Sequence, residues 1–383
     1  MKELRILQLA SFKGNIGDNA NHQGTRRELR NNLNEFSLNF EDLEIRDFFR
    51  GDRLYDEAFA AYVNTFDLFI VGGGNFFELW VDHSCNNTSV DISVDLLKII
   101  KTPTVFYALG LDVGMGVSDA GIAKFTSWLD YVISQDRFLL SLRNDGAYQT
   151  ALDYLGEKYA QYFHRIPDGG FFFGKNERET TSSINDDRFL IGVNIAGDML
   201  DLRFDPSYGQ LDYDGFLKAF SQSVESTLLK MPRAQWIFFA HIYKDLKVIS
   251  DLLHTFPDKI SRNRVSVAPY LQGDSGSETV FSGYAQCDVV LANRFHANVC
   301  AMAAGVPVIG LINYPQIANL YGELNISRFA VDITQASFPS QLSSLLMDHS
   351  THPFVGRGAG ELVSSLRLSL KSFHLLIKDQ LLS

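Results

Sequence analysis

The segment from Val289 to Leu311 constrains the fold of this 383-residue chain most, because a strand, a helix and a second strand follow one another directly. A short apolar run begins at Val289, a helix of small residues follows, and a second apolar run spans Val306–Leu311. Two strands joined by a helix in this way are typical of a parallel sheet. In an open α/β sheet, the junction between strand and helix lies at the carboxyl edge, where ligands bind.

Short apolar strands alternate with helices along the rest of the chain, which predicts mostly parallel sheets covered on both faces. In the first half, the predicted strands are Leu4–Leu9, Leu68–Val71, Thr104–Leu109 and Phe138–Leu142, and the predicted helices are Ala20–Leu33, Tyr55–Asn64, Asp91–Ile100, Ala120–Ile133 and Gly146–Leu155. In the second half, the predicted strands are Phe189–Ala196, Gln235–Ala240 and Arg264–Val267, and the predicted helices are Tyr213–Lys230, Leu246–Thr255 and Glu278–Gln286. The predicted fold class is α/β, with two Rossmann-like domains facing a cleft.

The length of the chain favours two domains over one. We predict an N-terminal Rossmann-like domain over residues 1–180 and a C-terminal one, which carries the Arg294-x-His296 motif, over residues 185–345. The polar stretch Lys175–Asp187 lacks an apolar period and is the predicted interdomain linker. An amphipathic helix over residues 355–383 is expected to pack back on the domains, and a helix that completes the second domain is the alternative.

Composition limits the kinds of function that this chain can have. The formal net charge of −11 argues against a broadly basic surface, so no nucleic-acid partner is expected. Cys85, Cys287 and Cys300 show no CxxC spacing, which predicts neither a disulfide framework nor a zinc site. The first six residues carry charges where a signal peptide would have an apolar core. We therefore expect a cytoplasmic protein.

Arg294 and His296 lie between the strand and the helix of the 289–311 segment. A fixed cation and a titratable imidazole at a sheet edge indicate an anionic substrate and proton transfer. In an extended turn, residues two apart point to the same side, and the following helix N-terminus adds positive potential. Arg294 is predicted to bind a phosphate or a carboxylate, while His296 gives or takes a proton.

Two glycine turns follow predicted strands of the first half and are candidate ligand-binding loops. In the first, Gly14, Asn15 and Gly17 precede a helix that Asp18 or Asn19 could cap. The pattern is not the GxGxxG dinucleotide motif. In the second, Gly73, Gly74 and Asn75 end a strand, and a run of glycines there favours close approach of a ligand over a purely structural turn.

Two further strand ends carry a cation or an imidazole. Arg143 either reaches a ligand or pairs with a nearby carboxylate such as Asp145, and the sequence favours neither. His241 follows the strand that ends at Ala240, and Asp245 is expected to cap the next helix. A histidine at such a position is more often structural than catalytic, so His241 is a secondary candidate.

In this order, the motifs resemble those of the polysaccharide pyruvyl transferase family. The resemblance is carried by Gly14–Asp18, by Gly72–Asn75, and by Arg294-x-His296 followed by Ala303–Gly310 and Tyr314. It runs from about residue 4 to residue 330, and it is most specific in the last block. Ser141-Leu-Arg143 is similar to the family's strand-arginine element.

The resemblance implies a two-domain fold like that of the GT-B glycosyltransferases. It also implies transfer of pyruvate from phosphoenolpyruvate onto hydroxyls of a saccharide or lipid-linked oligosaccharide, forming a ketal. Arg294 and His296 would hold the anionic end of the donor, with help from Arg143. No cofactor and no metal are expected. Peripheral membrane association through the acceptor and a homo-oligomeric state are left open.

Within that chemistry, we hypothesise His296 as the acid/base and Asp18 as the carboxylate that orients the hydroxyl. The glycine turns, His241 and Tyr314 complete the predicted substrate-binding set. The chain departs from the family pattern at two positions. Ile317 stands where a lysine often follows the tyrosine, which removes one anion contact, and Asn293 replaces a small hydroxyl residue before the motif arginine.

Two alternative functions remain compatible with the sequence. A nucleotide-sugar glycosyltransferase would use the glycine turns for a diphosphate and Asp18 or His296 as its base. A carbohydrate-binding relative without catalytic activity would not need Arg294 or His296 for its role.

Overall fold

The computed structural model describes residues 2–174, 188–207, 209–349 and 357–382. The chain divides into two compact units. The first unit comprises Met1–Lys13, Asn21–Gly169 and Ser365–Ser383, and the second comprises Gly14–Ala20 and Gly170–Ser364. The predicted linker, Lys175–Asp187, lies outside the described residues. In the described parts of the chain, each unit contains one six-stranded parallel sheet with helices, which confirms the predicted α/β fold class.

The first sheet consists of six strands that are all paired in parallel. They are β1 (Lys2–Ala10), β2 (Phe36–Glu44), β3 (Leu68–Glu78), β4 (Thr104–Asp112), β5 (Phe138–Leu142) and β6 (Phe163–Arg165). Their order in the sheet is β2-β1-β3-β4-β5-β6. The chain therefore changes direction across the sheet between β1 and β3, as in flavodoxin-like sheets.

The second sheet is also parallel throughout. Its strands are β7 (Phe189–Asn194), β8 (Ala234–Phe238), β9 (Val265–Val267), β10 (Val289–Ala292), β11 (Val308–Ile312) and β12 (Ala330–Asp332). Their order, β12-β11-β10-β7-β8-β9, is the Rossmann order. Its topological switch point lies between β7 and β10, so a ligand crevice is expected at the carboxyl ends of those two strands.

Helices connect the strands in both units. In chain order they are α1 (Ile16–Asn32), α2 (Ile45–Phe49), α3 (Glu57–Val63), α4 (Val94–Ile99), α5 (Asp119–Val132), α6 (Ala147–Leu155), α7 (Glu157–Ala160), α8 (Leu200–Arg203), α9 (Tyr213–Lys230), α10 (Asp245–Thr255), α11 (Asp258–Asn263), α12 (Gly273–Tyr284), α13 (Phe295–Ala303), α14 (Pro315–Glu323), α15 (Phe338–Met347) and α16 (Arg357–Leu382). Within the described residues, none of them combines the length and apolarity that crossing a bilayer requires.

Three strands were not predicted, and each lies at or beside a sheet edge. Strand β2 mixes buried and exposed positions because it is an edge strand, so it lacks the continuous apolar run of a central strand. Strands β6 and β12 have three residues each, too few to show a period. The central strands were found because they are buried on both faces; all four residues of β10, for example, are buried.

The last part of α16 belongs to the first unit. His374 is fully buried there, and its Nε2 lies 2.8 Å from the hydroxyl of Tyr107 on β4. Its Nδ1 lies 2.9 Å from Asn32 Nδ2 on α1. Nearby, Arg367 pairs with the buried carboxylate of Glu28. These polar contacts hold α16 against α1 and β4.

Candidate functional site

Arg294 occupies the N-cap position of α13, directly beyond the carboxyl end of β10. Its backbone is extended, with φ −80° and ψ 145°, and its amide donates to Asn194 Oδ1 at the end of β7. His296 is already the second residue of the helix. The predicted extended turn through both residues was therefore wrong, because the helix begins one residue after Arg294. The motif lies at the switch point of the second sheet.

The Arg294 guanidinium is held by two carboxylates. Its Nε and Nη2 donate to Asp245 Oδ2 and Oδ1 at 2.8 Å and 2.5 Å, and Nη2 also lies 2.8 Å from Asp198 Oδ1. Burial by itself would lower the pKa of this guanidinium, but the Asp245 and Asp198 charges outweigh it and raise that pKa. Arg294 is thus a permanent cation with a fixed orientation.

Asp245 is the first residue of α10, and its side chain is fully buried. The N-cap position is Lys244, so the prediction that Asp245 caps the helix was wrong. Its carboxylate instead accepts from the amides of Gly197 and His241, each at 2.9 Å, as well as from Arg294. Burial would raise the pKa of Asp245, but these charged and backbone donors lower it. Asp245 therefore joins the loops after β7, β8 and β10.

His296 lies close to Asp18, and both belong to the second unit. The Nδ1 of His296 is 3.6 Å from Asp18 Oδ1, and the two side chains are 7% and 15% exposed. Gly17 leaves the room that the imidazole needs, because a Cβ at that position would lie 2.7 Å from His296 Cβ. The structure thus brings together the predicted acid/base, the predicted carboxylate and one predicted glycine.

The Gly14 turn begins α1 in a different way from the one predicted. Helix α1 starts at Ile16, and the Asn15 side chain accepts from the Gly17 amide at 3.0 Å. Asn15, rather than Asp18 or Asn19, therefore caps the helix. Gly14 has φ +84°, a conformation that favours glycine. Because Asn15 satisfies the helix end, the Asp18 carboxylate is available to face His296.

His241 is fully buried beside this site. Its Nε2 lies 2.9 Å from the hydroxyl of Tyr284. Burial lowers the pKa of the imidazole to about 3, with Asp245 opposing this shift and Arg294 and His296 adding to it. His241 is consequently neutral near pH 7, and its role in substrate binding stays a prediction.

Asn293 and Asn313 link the ends of neighbouring strands next to the motif through side-chain hydrogen bonds. Asn293 Nδ2 donates to Leu311 O and to Asn313 Oδ1, both at 2.7 Å, and its Oδ1 accepts from the Ala196 amide. A small hydroxyl residue could not span all three partners, so the departure from the family pattern at Asn293 has a structural role here. Asn313 in turn accepts from Arg203 Nη1 at 3.1 Å.

Tyr314 is the N-cap residue of α14, and the Arg203 guanidinium lies over its ring at 5.3 Å. Ile317, three residues on, is buried at 2% exposure within the helix. Burial lowers the pKa of Arg203, opposed by the Asp198 charge. Arg203 therefore lies beside Tyr314, the N-cap residue of α14. Position 317 of that helix is where the family often has a lysine and this chain has isoleucine.

The remaining predicted residues lie in the first unit. Arg143, directly beyond β5, donates from Nε to Asp145 Oδ2 at 2.6 Å, and its Nη1 lies 3.7 Å from Asp168. The ion pair with Asp145, one of the two alternatives that the sequence left open, is therefore present, and Arg143 is only 4% exposed. Burial raises the pKa of Asp145 to about 6, with Arg143 opposing the shift. Arg143, Asp145 and Asp168 thus form a buried group of ionisable side chains beyond the ends of β5 and β6.

The glycine run at the end of β3 is crowded by the protein itself. A Cβ on Gly72 would lie 2.2 Å from the Tyr107 carbonyl oxygen, one on Gly73 2.8 Å from Asn21 Nδ2, and one on Gly74 2.6 Å from the Phe76 ring. These contacts give the three glycines a packing role. The close approach of a ligand to this run stays a prediction.

Asn75 and Glu78 extend the polar cluster of the first unit. Asn75 Nδ2 donates to Asp112 Oδ2 at 2.9 Å, and the Ser89 hydroxyl donates to Glu78. Burial raises the pKa of Glu78 to about 7, and the nearby Asp112 charge adds to the shift. A carboxyl group with such a pKa can carry a proton near neutral pH.

The sequence interpretation missed several polar residues of both units. They are Glu78, Asp112, Asp168, Asp198, Arg203 and Asn313. Most of them lie within a few residues of a strand's carboxyl end, which is the signal that could have found them. The described residues contain no group of three or more histidine, cysteine or carboxylate side chains arranged to hold a metal ion.

Comparisons with known proteins agree on family and fold. A family model described as polysaccharide pyruvyl transferase matches residues 15–314. No curated protein matches the chain at a significant level. Among solved structures, a glycosyltransferase from Rickettsia africae ESF-5 is similar with a TM-score of 0.54 at 10% identity, covering 99% of this chain and 97% of that one.

Two further solved structures are similar in fold. For α,α-trehalose 6-phosphate synthase from Burkholderia multivorans, the TM-score is 0.53 at 12% identity, with 99% and 96% of the two chains covered. For a putative UDP-N-acetylglucosamine 2-epimerase from Listeria monocytogenes, it is 0.53 at 9% identity, with 94% and 91% covered. The two parallel sheets and these neighbours confirm the GT-B-like fold class.

Proposed function

This chain belongs to the polysaccharide pyruvyl transferase family, and we propose that it transfers a pyruvyl group from phosphoenolpyruvate to a sugar, forming a cyclic ketal. The proposed acceptor is a saccharide or a lipid-linked oligosaccharide with two neighbouring hydroxyls. The observation that carries the proposal is the pairing of His296 with Asp18 at 3.6 Å, in the unit whose switch point carries Arg294. Proton transfer and binding of an anion are the two tasks that this reaction requires.

Each proposed role follows from the chemistry of the donor. Phosphoenolpyruvate carries a carboxylate and a phosphate, so a fixed guanidinium such as Arg294 suits its anionic end. His296, in its protonated form, gives a proton to the methylene carbon, and C2 becomes electrophilic. The Asp18 carboxylate orients the imidazole and the first sugar hydroxyl, and it then accepts the proton of that hydroxyl. No cofactor is needed, because the donor itself carries the activated group.

The bonds and protons of the proposed reaction balance. The first sugar hydroxyl bonds to C2 and passes its proton to Asp18. The bond between C2 and the phosphate oxygen then breaks, and the departing phosphate takes that proton. The second hydroxyl bonds to C2 and returns a proton to His296. The products are the ketal and inorganic phosphate, and the enzyme regains its starting protonation state.

The reaction is tested by incubating the purified protein with phosphoenolpyruvate and candidate saccharides. Mass spectrometry should show an acceptor heavier by one pyruvate less one water, together with an equal amount of released phosphate. Phosphate release without a heavier acceptor, in the presence of the correct sugar, would contradict ketal formation. Comparison of the polysaccharide from a strain with and without this protein identifies the acceptor.

A nucleotide-sugar-dependent glycosyltransferase is the rival function. It is favoured by the Rossmann strand order of the second sheet, which suits a nucleotide, and by Ile317, which removes one expected donor contact. Thermal shift measurements with phosphoenolpyruvate and with nucleotide sugars separate the two functions. Stabilisation by nucleotide sugars alone would exclude the pyruvyl donor. A purely carbohydrate-binding role would be excluded if His296→Asn abolished turnover in a folded protein.

A further inference from the structure

One oxygen of Asp198 lies between two arginines of the second unit. Asp198 Oδ1 is 2.8 Å from Arg294 Nη2 and 3.7 Å from Arg203 Nη2. An oxyanion bridging two guanidiniums is the arrangement in which proteins bind carboxylates and phosphates. Here that oxyanion belongs to the protein itself. The three residues follow the ends of β7 and β10, the strands on either side of the switch point.

Contacts other than the Asp198 carboxylate hold both guanidiniums in place. Asp245 binds Arg294 through two hydrogen bonds. Arg203 donates from Nη1 to Asn313 Oδ1 and from Nε to the Asp198 backbone carbonyl, and it packs on the Tyr314 ring. Removal of the Asp198 carboxylate would therefore leave two positioned cations.

The local charges and exposures show why a bound anion would displace the carboxylate of Asp198 and not that of Asp245. Two arginines and two aspartates cancel, so the cluster as it stands offers no net attraction to an anion. The Asp245 side chain is fully buried, whereas that of Asp198 is 26% exposed. The backbone just before Asp198 is anchored, because Gly197 donates to Asp245 and packs against the Lys244 carbonyl. Rotation of the Asp198 side chain alone would move its carboxylate away from both guanidiniums, which their other contacts keep in position.

We propose that Arg203 is a second donor-binding cation and that Asp198 is an internal counter-ion, which the oxyanion of the donor displaces. This inference rests on the proposed function for the identity of the donor. Displacement leaves two arginines against Asp245, a net charge of +1 for the incoming carboxylate or phosphate. Arg203 thereby supplies the cation that the family's lysine would supply at position 317, where this chain has a buried isoleucine.

The test is isothermal titration of the full chain with phosphoenolpyruvate, inorganic phosphate and a nucleotide sugar. Asp198→Asn keeps the size of the side chain and removes the competing charge, so it should tighten binding of the donor about five- to tenfold. Arg203→Gln should weaken it about tenfold or more. Asp201→Asn is the matched control, because Asp201 is an exposed aspartate three residues after Asp198, on the short helix α8 that carries Arg203. Its affinity should equal that of the wild type.

Unchanged or weaker binding to Asp198→Asn would overturn the counter-ion role, and unchanged binding to Arg203→Gln would overturn the cation role. If Arg203→Gln fails to fold, the donor affinities of Arg203→Lys and Asp198→Asn decide whether Arg203 and Asp198 have the proposed roles. Phosphoenolpyruvate binding with neither effect would refute this inference and leave the donor assignment intact. Selective binding of the nucleotide sugar with both effects would keep the arginine pair and refute the pyruvyl donor. Binding of none of the three probes would refute both.

Discussion

Arg294 and Asp245 form a two-point ion pair, with Nε donating to Oδ2 at 2.8 Å and Nη2 to Oδ1 at 2.5 Å. The pair joins the strand end that carries the Arg-x-His motif to the start of α10. Because Asp245 also binds the Gly197 and His241 amides, one buried carboxylate positions three loops of the second unit. The geometry of the site therefore depends on a residue that needs no contact with substrate.

Replacement of Asp245 should destabilise the second unit strongly. Asp245→Ala leaves the buried Arg294 charge without its main partner and three amides without this acceptor, at a cost of about 3–5 kcal/mol in the free energy of unfolding. Chemical denaturation measures this loss. The exposed pair of Asp258 and Arg262 provides the control, since Asp258→Ala should cost no more than about 1 kcal/mol. Equal losses for the two variants would contradict a structural role for Asp245.

Removal of the proposed acid/base should impair turnover far more than folding. His296→Asn or Asp18→Asn is expected to lower kcat by about 10²–10⁴-fold, because a positioned proton-transfer group contributes that much. The two changes together should cost less than the product of the single effects, since both side chains act in one step. His254→Asn, at an exposed position on α10, is the control. Wild-type turnover in the His296 variant would defeat the assignment.

Gly17→Ala should reproduce the loss of His296 without removing any functional group. The new Cβ would lie 2.7 Å from His296 Cβ, so the imidazole must move away from Asp18. We expect a drop in kcat of about 10²-fold, as misplacement of a reacting group by about 1 Å can cause. Gly322→Ala on α14, where a Cβ meets no atom, should keep full activity. A fully active Gly17→Ala enzyme would show that the imidazole need not hold this position.

Protonation of His374 should weaken the anchoring of α16 at low pH. Burial lowers the pKa of this imidazole to about 3 in the folded chain, below the value of about 6.5 for an unfolded histidine. The stability that depends on neutral His374 is therefore present above pH 6.5 and is lost as the pH falls towards 3. The loss is about 1.4 kcal/mol per pH unit. His374→Asn should remove this slope from denaturation curves measured between pH 7 and pH 5, and an unchanged slope would contradict the burial of a neutral imidazole.

The raised pKa of Glu78 predicts the opposite pH dependence. Its folded pKa of about 7 lies above its ordinary value, so stability is fully present below about pH 4.5 and is lost as the pH rises through 7. Glu78→Gln keeps an acceptor for Ser89 and removes repulsion from Asp112. It should raise the free energy of unfolding at pH 8 by about 1–2 kcal/mol and have little effect at pH 4.5. A destabilised variant at pH 8 would show that ionised Glu78 is favourable there.

Much of the fold could be predicted from local patterns. Strands such as β4 and β10 are short continuous apolar runs because both of their faces are buried, and this signal needs no knowledge of distant residues. The edge strand β2 and the three-residue strands β6 and β12 escaped prediction, because partial exposure and short length weaken that signal. The family resemblance, carried by the glycine turns and the Arg-x-His motif, was confirmed over residues 15–314.

The sequence by itself determined which residue types follow the strands, and so it identified Arg294, His296 and Asp18 as candidates. Only the tertiary structure decided their partners. Parallel pairing of β10 with β7, and of β7 with β8, brings the loops with Asp198 and Asp245 to Arg294, although they precede it by 96 and 49 residues. Strand order is set by packing of distant segments, whereas periodicity reports only whether each segment is buried. The charge state of the site therefore emerges only when the sheet is assembled.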